Sequence, residues 1–357
     1  MKKWMYDCVL EAPENCRRIL RDKDKLVGGL ADLYAAKDYS EIVIAASGSS
    51  YNIACCAKYA MEKYLNRKIE IIHSVTYAKY DFRFHENALV ICMSQGGRST
   101  NTLAALEKAK ECGNDTAALV SEPGSPLEEL CEHTYLYGSH EDGKDVFVCR
   151  GLPTSTLFLM LFALEAGLRK GTCTKEQYKK GIRDLTAVVD AMETVREKAD
   201  RFYEANQAEF CRMERVMTAG IGPGLGVAQE GALKLEETVG LPSNCYEMEE
   251  FLHGPVYEIK KPHSIFLVDL DEGSHDRALQ IFDAAKQLSD HIYLISASAA
   301  GNSNILSLEI AADPVFLPIL AVIPFQVIAS RICDDTRASG ITIYTWRFMQ
   351  KMATKAK

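Results

Sequence analysis

Several features are missing from this sequence, and each absence narrows what the chain can be. It has no run of basic residues, and its formal net charge is −8. A nucleic-acid or anionic-membrane partner needs a positive face, so neither is expected. No apolar segment is both long and clean enough to cross a bilayer. Leu157 to Leu168 is too short and contains Glu165, while Val315 to Ala329 carries Pro318 and Pro324; both read as buried helices. The opening Met1-Lys-Lys-Trp-Met-Tyr-Asp-Cys8 lacks the apolar core of a secretory signal. The twelve cysteines include no Cys-x-x-Cys pair. No His/Cys/Asp cluster has metal-ligand spacing, so no metal and no cofactor are expected. Scattered beside apolar residues, the cysteines read as reduced, buried thiols of a cytoplasmic protein.

What is present is ample apolar content, 47% of 357 residues, enough for two cores. Residues 1–38 read as a helical arm, with Leu20, Leu26, Leu30 and Leu33 recurring at helical spacing. Short continuous apolar runs follow, at residues 41–46, 69–72, 88–93, 116–120 and 134–137, separated by helical patterns. Such runs suit strands buried on both faces, and their alternation with helices predicts a doubly wound parallel α/β sheet. A buried helix is expected over Ser155–Leu168 and charged helices over 171–210. The pattern then restarts with strands at 215–219, 264–269, 290–295 and 307–310, a turn over Gly220–Gly226, and helices over 228–239 and 276–288. This is a weak internal duplication. The expected organisation is an arm (1–38), a first domain (39–170), a helical linker (171–210), a second domain (211–340) and a tail (341–357).

Two turns in the first half carry hydroxyls. Ser47-Gly-Ser-Ser50 and Ser94-Gln-Gly-Gly-Arg-Ser99 each follow a strand and open a helix, a geometry that binds phosphate through backbone N–H groups and hydroxyls. The plainer alternative is a tight turn with a serine N-cap. The second half has Gly/Pro in one such turn and Asp269-Leu-Asp-Glu272 in the other, and carboxylates repel phosphate. Only the first half is therefore expected to hold an anion. Gly220-Ile-Gly-Pro-Gly-Leu-Gly226 superficially matches a dinucleotide fingerprint, but Pro223 interrupts it and no acidic residue follows on a clear second strand. The second half instead offers Glu237 and His253, side chains suited to proton transfer near neutral pH.

Together these motifs carry a resemblance. Ser47-Gly-Ser-Ser-Tyr-Asn52, Ser94-Gln-Gly-Gly-Arg-Ser99, Glu230-Gly-Ala-Leu-Lys-Leu-Glu-Glu237 and Glu250-x-x-His253-Gly-Pro255 look like the double sugar-isomerase (SIS) domain family. The sequence resembles most the fructosamine-6-phosphate deglycases and the isomerase half of glucosamine-6-phosphate synthase, over about residues 25 to 345. The resemblance implies two flavodoxin-like three-layer SIS subdomains and a 6-phosphosugar substrate. It also implies a homodimer or higher homo-oligomer with sites at the subunit interface. It gives Ser47, Ser49, Ser50, Ser94, Gln95 and Ser99 to phosphate binding and Lys234 to the substrate side. Glu237 becomes the acid/base between C1 and C2, and His253, from either subunit, the ring-opening residue. Gly96 stands where a serine is usual, and Arg98 where a glutamate is common. Cys149-Arg-Gly-Leu-Pro-Thr154 departs from the family pattern at the sugar end. The SIS pattern begins within about 40 residues, so no glutaminase domain is expected. The tail is nearer the deglycases, making Arg347 or Lys351 possible sugar contacts; the alternative is a basic surface strand. The implied activity is a fructosamine-6-phosphate deglycase. An aldose–ketose phosphosugar isomerase and a non-catalytic phosphosugar sensor are the alternatives.

Overall fold

The computed structural model describes residues 5–137, 147–298 and 301–356. Among them ten strands form two sheets of five, and every strand pairing is parallel. The first sheet contains β1 (Glu41–Ala46), β2 (Lys68–His73), β3 (Ala88–Met93), β4 (Asp115–Val120) and β5 (Thr134–Leu136), in the order β2-β1-β3-β4-β5. The second contains β6 (Val216–Gly220), β7 (Ser243–Glu247), β8 (Ser264–Asp269), β9 (His291–Ser296) and β10 (Ile305–Ser307), in the order β10-β9-β8-β6-β7. Numbered within its own half, each sheet reads 2-1-3-4-5, the flavodoxin-like order. The internal repeat seen in the sequence is a repeat of topology.

The helices of ten or more residues among those described are α1 (Met5–Arg21), α2 (Lys23–Ala35), α3 (Ser49–Leu65), α4 (Thr100–Glu111), α5 (Gly151–Lys170), α6 (Lys175–Asp190), α7 (Met192–Ala205), α8 (Pro223–Lys234), α9 (Glu272–Ala285), α10 (Ile323–Thr336) and α11 (Ile343–Met352). By contact density the chain divides into two compact units, one of Glu14–Thr186 with Trp346–Lys357, the other of Lys3–Pro13 with Ala187–Thr345. The division of α1 falls at Pro13, which has no N–H to give an i−4 carbonyl.

Each unit has its own core. In the first, Val43, Ala45, Val90, Cys92, Ala118 and Val120 of the sheet pack on Leu106 and Ala109 of α4. In the second, Met217, Ala219, Ile265, Leu267, Ile292 and Leu294 pack on Ala278 and Phe282 of α9. Phe210, Phe266 and Tyr293 form an aromatic cluster in that unit, with centroids 4.9–5.8 Å apart. Every residue of β3 and β8 is buried, the state that a continuous apolar run demands. Helix α5 is long and apolar enough to cross a membrane, but 94% of its most apolar window is buried inside the protein. Its Glu165 accepts the Tyr178 hydroxyl and lies 3.9 Å from Lys23 Nζ, so the charge there has partners.

Several boundaries differ from expectation. The arm is two helices, and residues 1–4 lie outside the described part. The glycine-rich turn is only two residues long, because α8 starts at Pro223; proline at a first helical position costs nothing, since its N–H would be unbonded there anyway. Helix α5 likewise begins at Gly151 with Pro153 in its first turn. Strand β7 lay in what the sequence presents as a loop. Its five residues, Ser-Asn-Cys-Tyr-Glu, have no apolar run because it is an outer strand of its sheet. Strand β10 sits two residues earlier than expected, and α9 starts four residues earlier, at Glu272, capped by the Asp271 carboxylate. The tail residues Ile343–Met352 are a helix, not a surface strand.

At the mouth of the second sheet, helix and strand approach too closely for side chains. A β-carbon on Gly224 would stand 2.7 Å from the Val268 carbonyl oxygen of β8. Backbone cannot yield there as a flexible side chain would. Gly224→Ala is expected to cost about 1–3 kcal/mol, read as a fall in thermal midpoint of a few degrees (~2–4 °C per kcal/mol for a domain of this size).

Candidate active site

Open α/β sheets bind ligands beyond the carboxyl ends of their strands, where the strand order reverses. In the first sheet that point lies between β1 and β3, and the two hydroxyl-rich turns leave from those strands. After β1, Gly48 takes φ 58° and ψ −137° as N-cap of α3. That left-handed conformation suits glycine, and it brings Ser49 and Ser50 into the first helical turn, both nearly buried. After β3, the Gly97 N–H closes a turn onto the Ser94 carbonyl at 3.0 Å. Gly97 has φ 58°, and a β-carbon there would collide with Ser125 Oγ at 2.1 Å. Among the described residues the amides of Gln95, Gly96 and Arg98 donate to no internal acceptor. Ser99 caps α4 by position, with no side-chain cap bond. The buried oxygens Gln95 Oε1, Ser121 Oγ and Ser125 Oγ are without partners. Donors and hydroxyls therefore converge in this unit; Ser121 and Ser125, on the loop after β4, were not singled out in the sequence.

The matching point of the second sheet is different. Gly222 repeats the conformation of Gly48, with φ 52° and ψ −126°, but it is followed by Pro223, which has no N–H. Opposite stands Asp269, 1% exposed, which accepts Ser274 Oγ at 2.7 Å and lies 2.8 Å from His275 Nδ1. This end of the sheet satisfies its own carboxylate. The end of β7 does carry an acidic residue, Glu247, contrary to the sequence reading. Its carboxylate is engaged locally, accepting the amides of Glu249 and Glu250 at 2.8 and 2.9 Å.

The acid/base candidates sit on α8 and the turn that continues it. Lys234 has no exposed surface. Its Nζ lies 2.9 Å from Glu230 and also bonds Glu237, so one cation is held between carboxylates at i−4 and i+3. Glu230 is buried; Glu237 keeps 25% of its side chain exposed. At Leu235 the helix widens into a π turn, Leu235–Val239, which ends at Gly240 with φ 85°. Such turns are frequent at functional sites. Gly340 seals this turn: its N–H donates to the Thr238 carbonyl at 3.0 Å, and a β-carbon on it would stand 2.3 Å from the Glu237 carbonyl oxygen. Burial raises the Glu237 carboxyl above its usual range, and Lys234 opposes the rise. Glu230 is the member of this group that went unremarked as a partner in the sequence.

Among the described residues no hydrogen bond or ion pair joins His253 to Glu237. The histidine is exposed after the 3-10 turn Glu250–Leu252, with no side-chain hydrogen bond or ion pair among the described residues. Arg347 and Lys351 are exposed on α11. The tail reaches the anion turn further along, and within the first unit: Thr100 N–H donates to the Thr354 carbonyl at 3.2 Å and Ala356 N–H to the Arg98 carbonyl at 2.7 Å, so that Lys355 faces Ser99. At the sugar-end departure, Thr154, Ser155 and Thr156 turn their hydroxyls onto the carbonyls four residues back, and Arg150 is 5% exposed. No group of three or more His, Cys, Asp or Glu side chains among the described residues could hold a metal ion.

Fold and site together define a duplicated flavodoxin-like α/β protein with turns rich in open amides and hydroxyls in its first half and a lysine-linked carboxylate in its second. The SIS domain model matches residues 36–166 and 209–330, more than half of the chain, and the protein belongs to the SIS family. It is 25% identical over 343 residues to a glutamine–fructose-6-phosphate aminotransferase (isomerizing) of Chlorobaculum tepidum, covering 92% of this chain and 55% of that protein. The chain thus spans about half the length of the curated relatives it matches. Among solved structures, a candidate phosphosugar isomerase of Clostridium difficile superimposes with a TM-score of 0.89 at 24% identity, covering 99% of both chains. The C-terminal domain of glucosamine-fructose-6-phosphate aminotransferase from Francisella tularensis does so at 0.80 and 22%, covering 95% and 98%.

The raised Glu237 carboxyl has two consequences. A raised carboxyl favours the fold while protonated, and that contribution fades as pH rises through its folded-state pKa. Glu237→Gln leaves the buried Lys234 with one fewer ionic partner and should lower the thermal midpoint, by less at pH 8 than toward pH 5, where protonation of the raised carboxyl adds to wild-type stability. In a proton-transfer role, the acid limb of wild-type kcat/KM should lie above the ordinary glutamate range of about 4.3. Thermal melts and a pH–rate profile check the two.

Proposed function

We propose that the protein is a phosphosugar enzyme, a fructosamine-6-phosphate deglycase that acts by general acid–base catalysis without a cofactor. The observation that carries this reading is Glu237 itself: a carboxyl raised by burial, partly open to solvent, and bonded to a lysine with no exposed surface. Such a group can accept a carbon-bound proton and return it. The turns after β1 and β3, with Ser47, Ser49, Ser50, Ser94, Gln95 and Ser99, would hold the phosphate. Binding energy taken there, away from the reacting carbons, can be used to hold them in place.

In the proposed reaction His253 assists opening of the sugar ring. Glu237 takes a proton from C1 of the open ketoamine, giving an enaminol. A proton returned to C2 leaves an imine between C1 and the amine nitrogen. Water adds to C1 and the C–N bond breaks, giving glucose 6-phosphate and the free amine. Lys234 keeps Glu237 oriented and offsets part of its charge. The departures at Cys149–Thr154 and in the tail favour the deglycase over a plain aldose–ketose isomerase.

Glucose 6-phosphate release from a panel of fructosamine 6-phosphates, with wild type beside Glu237→Gln, tests the reading. Release is expected from wild type, and a loss of at least about a hundredfold in the variant, as for removal of a general base. Normal turnover by the variant would remove Glu237 from its role. Interconversion of an aldose and a ketose phosphate without amine release would give the isomerase instead. Saturable phosphosugar binding with neither reaction would give the sensor.

The exposed, unengaged His253 fits a site completed by a second copy of the chain. If His253 and Glu237 of one site come from different subunits, mixing the inactive Glu237→Gln and His253→Ala chains should restore activity. Random pairing puts half of the chains' dimers in the mixed form with one intact site of two, about one quarter of the wild-type value. No recovery from co-refolded chains would place both residues in one subunit or exclude the dimer site.

A further inference from the structure

The loop after β4 places a carboxylate beside the anion turn. Two backbone bonds strap that loop to the turn: Ser121 N–H to the Gln95 carbonyl at 2.8 Å and Leu127 N–H to the Gly97 carbonyl at 3.0 Å. A β-carbon on Gly96 would stand 3.4 Å from Glu122 Oε1 and 3.7 Å from Oε2. The carboxylate thus occupies the space into which a side chain at position 96 would project. Glu122 is half-buried and, among the described residues, has no hydrogen bond or ion pair. Its own loop adds Glu128, which accepts the Gly124 amide at 2.5 Å. The facing turn carries Arg98, and the tail that pairs with that turn carries Lys355.

We infer that Glu122 is a specificity-determining contact of the anion turn, accepting a hydrogen bond from a protonated phosphate oxygen so that the site selects phosphate esters over sulfate esters. The inference rests on the reading that the turns after β1 and β3 hold the substrate's phosphate. A carboxylate offers acceptors only, whereas a hydroxyl can donate or accept. An anion oxygen beside Glu122 must therefore bring its own proton. A phosphate monoester retains one up to its second ionisation near pH 6, and shares it with an acceptor at little cost there. A sulfate ester of the same shape and net charge has no proton to give. With the neighbouring amides and hydroxyls supplying donors common to both esters, Glu122 is the group that tells them apart.

Calorimetric titration with glucose 6-phosphate and glucose 6-sulfate at about pH 6 tests this on the full chain, comparing wild type with Glu122→Gln, Ser49→Ala and Ser99→Ala. Wild type should favour the phosphate by on the order of ten- to a hundredfold, the range of one hydrogen bond to a charged group. Glu122→Gln, which keeps the shape but adds an N–H donor, should bring the ratio to within about threefold, mainly by gaining sulfate affinity. Glu122→Ala serves as the second variant and should also narrow the ratio, without the gain for sulfate. Equal affinities in wild type, or an unchanged ratio in both Glu122 variants, overturn the inference. If the serine variants weaken phosphate binding while the Glu122 variants leave the ratio alone, the anion turn stands and only the role of Glu122 falls. If the serine variants bind as wild type does, the anion-turn reading fails and the inference fails with it.

Discussion

A lysine with no exposed surface, held between two carboxylates, is the interaction on which the second half of this protein depends. Taking Lys234 out of water costs several kcal/mol, and the ionic bonds to Glu230 and Glu237 help to offset it. Those bonds require carboxylates on one face of a helix, which α8 supplies at i−4 and i+3. They also require the chain beyond Lys234 to bring Glu237 inward, and there the helix widens into a π turn. Once widened, the turn exposes the carbonyls of Glu236, Glu237 and Thr238 to the chain that packs on it. Only glycine fits at position 340, where a β-carbon would meet two of those carbonyls at 2.3 and 2.8 Å. One buried charge thus dictates a helix register, a π turn and a glycine a hundred residues away. The result is a glutamate whose carboxyl is raised by burial, reachable from solvent, and unable to relax away from its lysine.

The two halves show how little of function a fold determines. Both sheets have the same strand order, and both have a glycine of nearly identical conformation at the first turn, Gly48 and Gly222. What differs is the supply of donors. After Gly48 come serines with their amides; after Gly222 comes proline. Facing the first turn are unbonded amides at 95, 96 and 98. Facing the second is Asp269, already satisfied by Ser274 and His275. The two mouths share one topology, and the residues at each leave donors open at one and satisfy a carboxylate at the other.

Much of this was legible in the sequence because the relevant physics is local. Strands β1, β3 and β8 announce themselves as continuous apolar runs, since each is covered on both faces. The serines of the two turns are legible for the same reason: a strand end, a glycine and a helix start lie within eight residues. Strand β7 was not legible, because an outer strand needs no apolar run and its backbone pairing leaves no mark in side-chain pattern. The starts of α5 and α8 were obscured by prolines, which read as breakers but are harmless in a first helical turn. Glu122 was hidden for a third reason. Its meaning comes from Gly96, 26 positions earlier, and only the pairing of β3 with β4 brings the two together.

The tail follows from the same constraints. Helix α11 has no buried residue, and Ile343, Tyr344, Trp346, Phe348, Met349 and Met352 are each about half exposed or more. A helix of ten residues is marginal in water on its own propensity. Beyond its C-terminal end, residues 354 and 356 are paired with the turn after β3 within the first unit. The family resemblance suggested Arg347 and Lys351 as the tail's contribution. Backbone pairing places a further basic residue, Lys355, opposite Ser99. A cation fixed by strand geometry at an anion turn loses less freedom on meeting an anion than one on an exposed helix, because its backbone is already ordered before the ligand arrives.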